Sequence, residues 1–131
     1  MVNEEEVGAF GPAVRALRRR RGLSLNELAR RAEVDPAYVH RIEATDRTQP
    51  TIPRRPIVLR LGEALGLDSV QVDDLLSRAG HTPEALLTLG GWDQTLAEIV
   101  GVLADPRLSV TAKAEFREVL HILARRWLAD A

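Results

Sequence analysis

The side chains of this sequence best suited to chemistry are its arginines. Of 18 basic residues only Lys113 is a lysine, and a guanidinium offers a planar fork of donors that matches a phosphate or the edge of a guanine. A GC-rich genome produces the same bias, so placement matters more than number. Residues 7–60 carry 12 arginines against five acids (Glu27, Glu33, Asp35, Glu43, Asp46), a balance of +7. Residues 61–131 carry 6 basic groups against 11 acids, a balance of −5. The net charge of −1 therefore averages a half suited to a polyanion and a half that is not.

Other chemistries find little support. With no cysteine, disulfides, thiolate catalysis and Cys-containing metal sites are excluded. His40, His81 and His121 fall on separate segments without metal-ligand spacing. Asp73-Asp74, beside Val72 and Leu75, reads as the solvated side of a helix rather than a catalytic pair. Gly90-Gly91 is a lone pair in a turn, not a phosphate loop, and no serine has a nucleophile's surroundings. The expectation is a protein that is not an enzyme and has no cofactor and no metal.

A chain of 131 residues makes one domain, or one small domain with an appendage. Its 45% hydrophobic and 28% charged residues fit a folded, soluble chain. It contains no run of about 18 apolar residues that would span a membrane. The acidic start Asn3-Glu4-Glu5-Glu6 does not resemble a signal peptide. A cytoplasmic location is the expectation.

The elements that must position the arginines are all helical, with no convincing alternating strand, so the fold class expected is all-α. Val7, Phe10, Val14 and Leu17 form one apolar stripe, followed by Arg18 to Arg21 and a helix-ending Gly22. Ser24 with Glu27 has capping-box spacing and opens a helix that buries Leu25, Leu28, Ala29 and Ala32. Glu33-Val34 is a tight turn, Asp35 an N-cap and Pro36 a favoured first residue, so a third helix buries Val39 and Ile42. From Ala44 to Pro56 the pattern fails. Three prolines there predict a partly extended loop. Helical period returns around Val58, Leu61 and Leu65, then Val72, Leu75, Leu76 and Ala79, then from Thr82-Pro83 to Leu89. Two further helices are expected, from about Asp93 to Ala104 and from a Ser109 cap to about Leu128.

The second and third helices have helix-turn-helix spacing, with Arg18 to Arg21 before them and Arg47, Arg54 and Arg55 after them. Ser24 and Asn26 lie where a helix N-terminus can hold a phosphate. Arg47, Arg54 and Arg55, on a stiff loop, are expected to follow phosphates or enter a minor groove. The stretch VRALRRRRGLSLNELARRAEVDPAYVHRIEA, followed by LRLGEALGL, resembles the Xre/Cro phage-repressor-like helix-turn-helix family over residues 10–79. That resemblance implies a five-helix DNA-binding bundle and base-edge contacts from Pro36, Ala37, His40 and Arg41 on the third helix. It also implies a backbone contact from Tyr38, whose alternative is a ring packed beside the second helix. Arg18 and Glu43 are implied to form a structural ion pair. The sequence departs from the family pattern in three ways: the glycine usual after Glu43 is replaced by Ala44-Thr45-Asp46, the loop to the fourth helix is several residues longer than usual, and no capping Ser or Thr directly precedes Pro56.

These signals divide the chain into a DNA-binding domain over 7–80 and a C-terminal helical region over 81–131. The latter is acidic and carries Phe116, Val119, Leu120, Leu123 and Trp127 on one face of its last helix. Two helices alone cannot bury such a face, so it either covers the first domain or joins a second copy; the family resemblance favours the second, and these residues are expected to mediate dimerisation. Trp92 reads as an ordinary core tryptophan. The function expected is a transcriptional regulator binding double-stranded DNA, a homodimeric repressor of a palindromic operator. The alternative is an antitoxin whose C-terminal half holds a toxin.

Overall fold

The computed structural model describes residues 9–44 and 51–130. Among them are eight α-helices and no strand. The chain separates into two compact units, one ending at Gly90 and one beginning at Gly91.

Local chemistry sets most helix boundaries of the first unit. Helix α1 (Phe10–Arg20) buries Phe10 and Val14 and ends before Gly22, whose φ of 67° suits a residue without a Cβ. Helix α2 (Leu25–Ala32) starts where Ser24 Oγ accepts the Glu27 N–H at 3.1 Å. Helix α3 (Pro36–Glu43) starts where Asp35 Oδ1 accepts the Ala37 N–H at 2.7 Å. Between them only Glu33 turns left-handed, at φ 57°. Helix α4 (Arg55–Ala64) begins without a side-chain cap and with Pro56 in its first turn. Helix α5 (Ser69–Arg78) carries a capping box, Asp68 with Gln71, that the periodicity of apolar residues did not reveal. Helix α6 (Glu84–Leu89) is short.

The core lies among α1 to α5. Leu28, Ala29 and Ala32 of α2 meet Val39 and Ile42 of α3, with Val58, Leu61 and Leu65 below and Leu75 and Leu76 of α5 closing the far side. Helix α2 packs against both α3 and α4, and α1 packs against α3 and α5. Each large apolar side chain buried in this way contributes about 1.5–3 kcal/mol. Gly11 of α1 faces the Ile42 carbonyl so closely that a Cβ would collide with backbone. That contact presses α1 against the end of α3.

The chain leaves α3 through Ala44 in an extended conformation, φ −65° and ψ 127°. A left-handed glycine is therefore not needed at this exit. Val7 and Arg47 lie outside the described residues.

The second unit contains helices α7 (Gln94–Leu103) and α8 (Val110–Ala129), capped by Asp93 and Ser109. Between them the Asp105 carboxylate accepts the Arg107 N–H at 2.9 Å and the Arg107 Nη2 at 2.7 Å. The guanidinium and this backbone donor hold the carboxyl below its ordinary value. No residue from 91 to 130 is buried. Trp92, expected in a core, is 62% exposed. The unit around it has no buried layer to receive an indole.

Candidate nucleic-acid interface

Helix α3 divides cleanly into two faces. Val39, Ile42 and Glu43 are buried, while Pro36, Ala37, His40 and Arg41 are exposed. Positions three and four apart on a helix fall on a common side, so the pairs 36/40, 37/40 and 37/41 join these four exposed side chains into one outward surface. Asp35 holds the first turn in shape, and Pro36 at its start removes an N–H that would otherwise lack a partner.

Two contacts hold this surface in place. The first is the Arg18–Glu43 pair: Nε donates to Oε2 and Nη2 to Oε1, both at 2.8 Å, and Nη1 donates to the Leu23 carbonyl at 3.0 Å. Glu43 is only 5% exposed, so its charge needs this fork. Hydrogen bonding to Glu43 raises the Arg18 guanidinium above its ordinary value, against the opposing effect of burial. Helix α1 is thereby tied to the last residue of α3 by a bidentate bond.

The second contact involves Tyr38. Its half-buried ring packs against the core, and the Arg41 guanidinium carbon sits 5.5 Å from the ring centroid. That is within reach of a cation–π attraction. The guanidinium is held at the exposed face by an aromatic platform.

The remaining expected contacts differ in setting. Ser24 and Asn26 are both exposed at the start of α2, where the first amides have no intrahelical acceptor. The Ser24 hydroxyl is itself engaged in capping. Arg54 is exposed at the N-cap of α4 and forms no ion pair among the described residues. Arg55, expected to reach phosphates with it, points elsewhere. Its Nη1 donates to the Thr82 carbonyl at 2.6 Å and its Nη2 pairs with Glu84 at 2.7 Å. A carboxylate and a carbonyl at those distances occupy the fork that a phosphate would need.

Arg30 went unnoticed in the sequence. It is exposed on α2 one helical turn beyond Asn26, and that i, i+4 spacing was the available signal. Arg21, by contrast, is drawn toward the end of α4, where its Nη2 donates to the Gly66 carbonyl at 3.3 Å. Asp73, read as solvated, accepts the Glu84 and Ala85 N–H groups at 2.8 and 3.2 Å.

A capped helical corner whose second helix is anchored inward and polar outward defines the helix-turn-helix class of DNA-binding domains. Residues 9–75, just over half of the chain, match the sequence profile of a family described as "Helix-turn-helix domain". The chain belongs to that family, in keeping with its Xre/Cro resemblance. No curated protein and no solved structure matches it. No helix among the described residues is long and apolar enough to cross a membrane.

Proposed function

We propose that this protein is a sequence-specific transcriptional regulator, a homodimeric repressor that reads a palindromic operator in the cytoplasm. Helix α3 enters the major groove. Arg41 donates its fork to a guanine, Ala37 meets a thymine methyl, and His40 and Pro36 line the same edge. The amides at the start of α2, beside Ser24 and Asn26, hold a phosphate, and Arg54 grips another. Arg47 lies outside the described residues and, by its place in the sequence alone, is assigned a phosphate contact. Arg55 is left out because its guanidinium is engaged within the protein. Tyr38 acts as the platform for Arg41 rather than as a reader.

The observation that carries this reading is Arg41, exposed and seated on Tyr38, on a helix pinned from behind by Arg18 and Glu43. The C-terminal unit supplies the contact that brings a second copy to the second half-site. Phe116 and Leu120 are half-buried, and Val119, Leu123 and Trp127 are exposed, in a helix without one buried residue. Pairing two copies through that face sets two α3 helices about 34–36 Å apart on one side of the duplex.

Selection of bound sequences from a random duplex pool tests it. The wild-type chain should return a two-fold symmetric motif. Arg41→Ala should abolish the preference at one base position per half-site, a loss of about 1–3 kcal/mol of discrimination. Arg54→Ala should weaken every sequence alike and reduce the salt slope by about one phosphate per half-site. An asymmetric motif, or one unchanged by Arg41→Ala, would overturn the proposal.

A further inference from the structure

The segment that joins the two units is not a free linker. After α5 the chain passes over the start of α4 and is fastened there at several points. The His81 ring lies with Nε2 2.9 Å from the Pro53 carbonyl, and since a carbonyl only accepts, Nε2–H is the donor. The neighbouring Thr82 carbonyl and the Glu84 carboxylate both take hydrogen bonds from Arg55. The Asp73 carboxylate caps the first turn of α6 through two backbone amides. At the other end of α6, the Gly90 N–H returns to the Leu87 carbonyl at 3.1 Å.

The clasp shortens the connection. Residue 90 is held by α6 and Asp93 is already the cap of α7, its carboxylate accepting the Leu96 N–H. Only Gly91 and Trp92 remain untied. Without the fastening, the free stretch would extend from about residue 81 to residue 92. The span a flexible chain covers grows with the square root of its length, and two residues reach at most about 7 Å.

We propose that this clasp, held by Arg55, Asp73 and His81, fixes the half-site spacing that the dimer accepts, which makes the three residues determinants of operator specificity without touching DNA. The inference rests on the dimeric reading above. One added base pair moves a half-site by about 3.4 Å and turns it by about a tenth of a revolution. A joint of two residues follows such displacements and rotations over a much narrower range of spacings than a longer joint does. A joint of a dozen follows them easily.

The test uses the full chain and palindromic duplexes built from the selected half-site, with the centre lengthened or shortened one base pair at a time. A duplex with a single half-site serves as reference. The wild-type protein should prefer one spacing by about tenfold over its neighbours. Arg55→Gln combined with Asp73→Asn should flatten that preference to about threefold or less, with single-half-site affinity unchanged within about twofold. Two glycines inserted after Gly91 should flatten it in the same way and leave the clasp intact, so the expectation survives should the double variant fold poorly. A wild-type profile that is already flat, or a sharp profile retained by the glycine-inserted chain or by a folded double variant, overturns the clasp proposal while half-site selection stands. Absence of any selected half-site overturns the DNA-reading proposal instead.

Discussion

Two arginines on neighbouring helices show how surroundings divide one residue type into different roles. Arg18 sits beside a buried carboxylate and is consumed in structure. Arg41 rests on an aromatic face in solvent, leaving its donors free for a ligand. Removing Arg18 would strand the Glu43 charge in the core. Arg18→Ala should therefore cost about 3 kcal/mol or more in urea denaturation. The paired change Arg18→Met with Glu43→Leu should recover most of that loss, because neither charge then needs solvation. At position 41 the prediction concerns shape rather than charge. Arg41→Lys keeps the cation but loses the fork, so the preference for guanine should weaken while affinity for unspecific duplex stays nearly unchanged. Base-by-base competition binding separates the two effects.

The third helix is defined by what presses on it. Asp35 closes its first turn, Val39 and Ile42 bury its inner side, and Gly11 lets α1 approach its last turn at backbone distance. Because the opposing group at Gly11 is a carbonyl and not a side chain, it cannot swing away. Gly11→Ala should destabilise the fold by about 1–3 kcal/mol. It should also weaken DNA binding beyond what the loss of folded protein explains, since α3 must shift to admit the methyl. Thermal unfolding and binding titrations on the same preparation check both outcomes. Asp35→Ala should cost about 1 kcal/mol through loss of the cap alone.

The two units make a contrast of their own. Residues up to Gly90 enclose a continuous apolar core, whereas residues 91–130 bury none of their side chains. A helix as short as α7, of 10 residues, is marginal in water unless an apolar face is covered. Leu123, 47% exposed, and Trp127, 74% exposed, lie on the face assigned to a second copy. On the dimeric reading proposed above, Leu123→Asp should give a monomer in sedimentation equilibrium where the wild-type chain gives a dimer. It should lower affinity for the palindrome by about a hundredfold through loss of bivalency and leave a single half-site duplex bound as before.

The outline of the first unit was legible because its signals act over three or four residues. Ser24 and Asp35 cap helices whose donors lie two or three positions along the chain. The apolar spacing from Phe10 to Ala79 likewise marks out the five helices and their inner faces. The outward position of Arg41 on α3 follows from the same arithmetic, whereas a base-contacting role for it is implied only by the family resemblance. Arg55, Asp73 and His81 gave no such sign. Their partners lie 11 to 29 positions away, and nothing in local spacing distinguishes an arginine facing phosphate from one facing Glu84. Trp92 was misread for a related reason, since composition shows that an indole is apolar but not whether a buried layer awaits it. Helix identity and polarity are local properties written by neighbours along the chain. Which charges remain free for DNA is decided by long-range folding, because a charge is free only when no distant group has been brought against it.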